Sequence, residues 1–358
     1  MSDGERSSPN VDCSLVVIRR LALAALVLVV VSAAGAAVAR STGAAPHSPA
    51  AARPVSFVPL GSYPRSDAAA LARFVARRLG LSASVAPTAA LPRSAFDRAR
   101  KQYVAQELMG ALRRPVGDTR VVIGLTVKDM YTQDRPEWRF AFSTRSTSGF
   151  AIVSRARMDP RFLGLTPDRG LRTRRLQKMV LKTIGVLALG YSQSSNPRSV
   201  LYDSILGVDD LDYMTHEFRP AAPTGAKRAW LTRTDKVCAR GISEAKALIA
   251  RSRVATRDEF LALARKGIVL EARQRQALAA IPPAPSDRSA VRALLALFAR
   301  GEKADRAAVA KLSASWSDAV LQSWVEESLR LGLALKSKAL ELGSRACGRY
   351  FDPATYAG

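Results

Sequence analysis

The sequence predicts an α+β protein, a mixed sheet with long helices followed by an all-α helical bundle. Three observations carry this. From Val55 to about Arg219, strand-like and helix-like runs alternate, the order of a mixed α/β layer fold. From about Ala226 the strand signals stop and helix-period runs take over. The chain has 358 residues, 48% of them hydrophobic, which suffices for one or two ordinary cores.

The N-terminal 40 residues read as a signal peptide or signal anchor. Leu21 to Ala39 is apolar or small throughout and uncharged, and Arg19 and Arg20 precede it directly. Ala37-Val38-Ala39 offers a small-residue cleavage site. Left uncleaved, the run is long enough, at roughly 20 residues, to span a bilayer. Positive charges stay inside, so the rest of the chain is expected outside the membrane. It would be anchored by residues 21–39 or secreted after cleavage near Ala39. Cys13 precedes the apolar run, which excludes it as a lipoprotein anchor. Residues 41–54 form a Pro/Ala/Ser tether without periodicity.

An α/β domain is expected over 55–219. "VSFVPL" predicts a buried strand. Ser66 is placed to cap the helix "DAAALARFVARRLG", which stops at Gly80. "SASVAP" predicts a strand, "QYVAQELMGALRR" a helix, and the β-branched "TRVVIGLTV" a strand. "RFAFSTRSTSGFAIVSRARM" predicts two strands around a polar turn. A long helix follows over about Gly170 to Leu189. Its spacing puts Leu176, Met179, Val180, Thr183 and Leu187 on one face and Arg174, Lys178 and Lys182 on another.

Over 226–350 the periodicity predicts a bundle of four or five antiparallel helices. "IPPAPSD", Ile281 to Asp287, breaks it in the middle, and Ser286 or Asp287 can cap the next helix.

The formal net charge is +25, from 55 Lys+Arg against 30 Asp+Glu. Such a balance suits an anionic partner. However, the arginines are scattered, zinc-finger spacing and RNA-binding aromatic motifs are missing, and export is expected. A solvated basic surface and no nucleic-acid partner follow. Two cysteines remain in the exported part, Cys238 and Cys347. Outside the cytosol an even count predicts one disulfide.

The α/β region resembles the archaemetzincins, a metzincin-like family of zinc metalloproteases. The resemblance rests on the order and spacing of "VSFVPLG", "LPRSAFDRARKQYVAQELMGAL", "VVIGLTVKDMY", "FAFSTRSTSGFAIVSRARM", the helix around "LKTIGVLALGYS", and "PRSVLYDSILGVDDLD". The last piece resembles the family's Met-turn segment. The family's zinc motif, HExxHxxGxxHC, sets two histidines one helical turn apart, a glutamate base beside the first, and a third histidine after a Gly turn. The resemblance puts Leu181, Gly185 and Tyr191 at the histidines, Lys182 at the glutamate and Ala188 at the glycine. Ser192 and Ser199 fall at cysteines of a second zinc site, and Leu201 at the methionine. Zinc takes N, S or O ligands at about 2.0–2.3 Å, and Leu and Gly supply none. The zinc expected of the family is therefore predicted lost, with no cofactor in its place. The helical region resembles, more faintly, extracytoplasmic helical modules of GC-rich bacteria.

Other chemistry can be imagined on these residues. Lys182, Lys178 and Arg174 share a face that can form an anion site in the groove, or simply a solvated helix face. Tyr191 and Ser192 form a candidate nucleophilic pair with no base nearby in sequence. "VDDLD", Val208 to Asp212, offers oxygen ligands to calcium without EF-hand spacing, or a helix N-terminus favouring acids. His216 and Glu217 with these aspartates form a candidate rebuilt metal site, and His47 lies in the tether. Two function classes compete. One is an exported pseudo-metalloprotease that binds a peptide, a protein or an envelope ligand. The other is a hydrolase with a rebuilt site.

Overall fold

The computed structural model describes residues 53–113, 120–135, 137–163, 167–252 and 254–356. The segment 1–40, with its apolar run, and most of the 41–54 tether lie outside them. Among the described residues no helix is long and apolar enough to cross a membrane. The chain divides into two compact units at Ala221/Ala222.

The first unit is built on a five-stranded sheet in the order β2-β1-β5-β8-β7. Its strands are β1 (Val55–Pro59), β2 (Ala83–Val85), β5 (Val121–Thr126), β7 (Ser143–Arg145) and β8 (Phe150–Ser154). All neighbours are parallel except β7, which returns antiparallel on β8 with Thr144 opposite Ile152. A small second sheet pairs β3 (Phe96–Asp97), β4 (Gln102–Val104) and β6 (Met130–Tyr131).

Strand β5 is buried at every position because both faces of the sheet are covered. Val121, Ile123 and Leu125 enter a large core shared with helices α1 (Arg65–Leu79) and α3 (Arg169–Leu187). Val122 enters a second core with Leu60, Leu108 and Met130, beneath the short helix α2 (Ala105–Gly110). Gly124 lies on that second face because a Cβ there would meet Ile152 Cδ1 at 2.6 Å.

Three local expectations need correction. Helix α1 begins at Arg65, after Pro64, so Ser66 lies inside it and is not its cap. The segment expected to be one long helix from Gln102 is strand Gln102–Val104 and then only six helical residues. Tyr103 and Val104 pair with Met130 and Tyr131, a long-range partnership that outweighs the local helical pattern. Helix α3 is not amphipathic in its second half, where Arg175 and nine of the ten residues from Leu176 to Gly185, all but Gln177, are buried.

The second unit contains four long helices, α5 (Gly225–Ala250), α6 (Arg257–Ala279), α7 (Arg288–Ala314) and α8 (Asp318–Leu342). A short α9 (Arg345–Tyr350) ends it. In α6 Thr256 and Glu259 form a capping box. Asp287 stands at the N-cap of α7 but its side chain makes no cap bond, and it pairs with Lys227 at 2.6 Å instead. Cys238 of α5 and Cys347 of α9 are joined by the expected disulfide, with Cα atoms 5.0 Å apart.

Candidate functional site

Helix α3 carries Leu181, Lys182 and Gly185, and Tyr191 follows it. Asp168 caps it by accepting from the Leu171 amide at 2.8 Å. At its far end Gly190 takes a left-handed conformation, φ 68°, and the Tyr191 amide returns to the Gly185 carbonyl at 2.8 Å. The chain thus turns back at Gly190 directly after the helix.

The three positions that the resemblance sets at histidines have apolar neighbours. Leu181 is fully buried in the core shared with the sheet. At Gly185 a Cβ would lie 2.7 Å from Phe218 Cε1 and 2.9 Å from Leu201 Cδ2. Tyr191 stacks edge-on against Phe218, with ring centroids 5.0 Å apart. Phe218 is fixed from behind. The Ser199 hydroxyl donates to its carbonyl at 2.6 Å, and the Val200 amide donates to the Glu217 carbonyl at 2.9 Å. Ser199, which the resemblance sets at a zinc cysteine, thus ties down the residue that fills the helix groove. Ser192 is exposed. This donor set does not fit a zinc ion. Among the described residues no group of three or more His, Cys, Asp and Glu is placed to hold a metal.

Lys182 is buried, 4% exposed, and its ammonium donates to the Tyr202 carbonyl. Burial pushes its pKa down to about 7, helped by the Arg145 guanidinium and opposed by Asp203. Arg145 lies on the edge strand β7 and is itself lowered by burial. Lys178 is buried too and donates to the Leu211 carbonyl at 2.7 Å, near the C-terminal end of α4 (Val208–Tyr213), where carbonyls lack helical partners. Neither lysine lies on a solvated face, so that expectation is corrected. Two carbonyls take the ammonium groups that an anion would use, and Arg174 is half-buried beside them on the same helix. The next arginine, Arg175, is the one the sequence reading overlooked. It holds Asp212 through two bonds at 2.8 and 2.7 Å and donates to the Met158 carbonyl at 3.0 Å.

That pairing explains "VDDLD". Asp212 faces Arg175, Asp210 accepts from the Leu206 amide at 2.8 Å, and Asp209 and Asp210 fill the first turn of α4. They do not converge on a cation site. His216 packs edge-on against Phe74, and burial with Lys178 and Arg78 nearby lowers its pKa to about 4. Glu217 pairs with Arg78 at the surface, so these two residues form no metal site with the aspartates. Among the described residues no carboxylate or imidazole is hydrogen-bonded to the Tyr191 or Ser192 hydroxyl, whose lone cue was adjacency in sequence.

No protein-family model matches the chain. An archaemetzincin of Methanopyrus kandleri is 33% identical over 123 residues, 34% of this chain and 65% of that protein. One of Pyrococcus furiosus is 28% identical over 172 residues, 45% of this chain and 86% of that protein. The chain spans just under two thirds of the length of the Methanopyrus relative. The crystal structure of the Methanopyrus protein aligns with 46% of this chain and 89% of its own, at 26% identity and a TM-score of 0.39. By its sequence relatives the chain is archaemetzincin-like, with a helical unit following its α/β unit.

Proposed function

We propose that this protein is an exported, non-catalytic pseudo-metalloprotease of archaemetzincin type, which binds a peptide, a protein or an envelope component. The observation that carries the reading is the packing at Gly185. Phe218 and Leu201 stand where a second ligand side chain would project, and Leu181 and Tyr191 add no imidazole. The general base is replaced by a buried lysine engaged with a carbonyl. The edge strand β7 has β8 on one side and ends the sheet on the other, so its outer edge suits an extended chain. The charged-then-apolar N-terminus supports export, with residues 21–39 either anchoring the protein or removed. No nucleic-acid role is assigned.

A second reading, a hydrolase rebuilt around Lys182, draws on the lysine's depressed pKa, since a neutral amine can act as nucleophile or base. Burial and the Tyr202 contact weigh against it. The test is elemental analysis of protein purified without chelator, together with a peptide-cleavage assay. We expect far less than one zinc per chain, a melting temperature unaffected by chelator, and no cleavage. Stoichiometric zinc would overturn the proposal, as would cleavage abolished by Lys182→Ala.

A further inference from the structure

The second unit has two separate apolar cores. One contains Trp230, Leu278, Phe298 and Leu335, and the other Leu261, Ile268, Val309 and Leu321. A cavity of about 470 Å³ opens between helices α5 to α9, with Ile268, Phe298 and Leu335 among its walls. That volume lies within the ordinary range of small-molecule pockets, about 300–1,000 Å³.

Its chemistry differs from that of the rest of the chain. In a protein with 55 Lys+Arg, the cavity walls carry no basic residue and three acidic ones, Glu271, Glu302 and Asp305. Glu302 is neutralised by Arg275 and Arg306, at 2.9 and 2.8 Å. Glu271 feels the nearby charge of Asp305, and neither has an ion pair among the described residues. The indole of Trp324 donates to Asp305 at 2.6 Å and the Ser328 hydroxyl at 3.0 Å, which hold that carboxylate in place. Burial first, then the charge of Asp305, pushes the Glu271 pKa up to about 8.

The glycines of these walls are a second, independent observation. Helix-interior glycine costs stability relative to alanine. Gly332 is accounted for, since a Cβ there would lie 3.2 Å from the Phe351 carbonyl oxygen. Gly267 and Gly301 are not, because a Cβ would meet nothing within 4 Å at the first and only Leu331, at 3.9 Å, at the second. They leave space open one helical turn before Glu271 and Asp305 respectively.

We propose that this cavity is a binding site for a compact apolar molecule with one cationic head group, an amine or a quaternary ammonium. The apolar walls take the body of the ligand. Glu271 and Asp305 take the head, with Trp324 offering an aromatic face beside them. A cation there faces two carboxyl groups that no basic side chain neutralises, and it favours the ionised form of Glu271.

The experiment is calorimetric titration of the full-length protein with three probes below their micelle concentrations: decyltrimethylammonium, decyl maltoside and decanoate. Nonspecific binding to a chain of net charge +25 would favour decanoate, so a cation preference is diagnostic. We expect saturable one-to-one binding of decyltrimethylammonium, at least tenfold tighter than the other two. Glu271→Gln with Asp305→Asn should erase that preference. Gly301→Leu, which fills the cavity with a better helix former, should abolish binding while keeping the fold. Equal affinity for the three head groups, preference for the anion, or no saturable binding by the wild type overturns the proposal without reference to any variant.

Discussion

The ring of Phe218 lies against Gly185 so closely that a methyl group at residue 185 would be 2.7 Å from Phe218 Cε1. One aromatic side chain thus stands beside the position at which the resemblance sets a zinc ligand, and the glycine makes room for it.

A first prediction follows from that contact. Gly185→Ala should destabilise the α/β unit by about 1–3 kcal/mol, the usual cost of overpacking, because rigid ring and methyl atoms must move. Gly185→His should cost more. Phe218→Ala should also destabilise alone, but Gly185→His combined with Phe218→Ala should cost clearly less than the sum. Urea unfolding of the four proteins measures this coupling. Strict additivity would show that the two residues do not compete for space.

Lys182 gives a prediction in pH. An unfolded lysine titrates near 10.5, whereas burial brings the folded value to about 7. Between these values the unfolded chain holds a proton that the folded chain has released. Stability from this group therefore rises from pH 7 to about 10.5 and is constant below 7. Lys182→Met lacks the dependence, although it leaves the Tyr202 carbonyl unpaired at every pH. Wild type should gain on the variant, by roughly a few kcal/mol, as pH rises from 7 to 10. Arg145 and Asp203 are common to both proteins, so the difference isolates the amine. A flat difference in urea midpoints would contradict the assigned burial.

The pair of Arg175 and Asp212 should behave as a buried ion pair, with side chains 8% and 3% exposed. Asp212→Ala strands the guanidinium, and removing one partner of such a pair costs about 3–5 kcal/mol. Calcium up to millimolar should leave the melting temperature unchanged, because these aspartates serve α3 and α4. A surface-like loss below 1 kcal/mol, or a calcium-dependent rise, would reverse that assignment.

How far the sequence could be read follows from the range of each interaction. Helix α3 was legible within two residues at either end, because helical spacing is a local signal. So were the buried strands β1 and β5, whose β-branched runs need no partner to be recognised. Strand β4 was not, since Gln102 to Val104 become a strand by pairing with β3 on one side and with Met130 and Tyr131, 27 positions on, on the other. At the candidate site the replaced ligands were visible one by one. The burial of Lys178 and Lys182 was not, because the carbonyls of Leu211 in α4 and of Tyr202 recruit them from 20 or more residues away in sequence. Nor could Glu271 and Asp305 be linked from sequence, lying as they do on different helices with unremarkable neighbours.

The disulfide supplies the last prediction. Cys238 and Cys347 are 109 residues apart, both nearly fully buried, and α9 is positioned around them. The Ser344 hydroxyl accepts from the Cys347 amide at 3.0 Å and donates to Asp235 of α5 at 2.5 Å. The bond therefore fastens the last helix of the unit to its first. Closing a loop of that length restricts the unfolded chain by about 4–5 kcal/mol in the entropic model. Cys238→Ser with Cys347→Ser should lower the melting temperature of the helical unit and spare the α/β unit. Tryptophan fluorescence separates the two, because Trp230, Trp316 and Trp324 lie in the helical unit and only Trp138 in the other. The Ser344 and Asp235 contacts survive the substitution, so α9 should stay docked below the new melting point. Thiol counting on unreduced protein should find both cysteines blocked. Two reactive thiols, or an unchanged helical transition in the double variant, would show that the bond does not stabilise the fold.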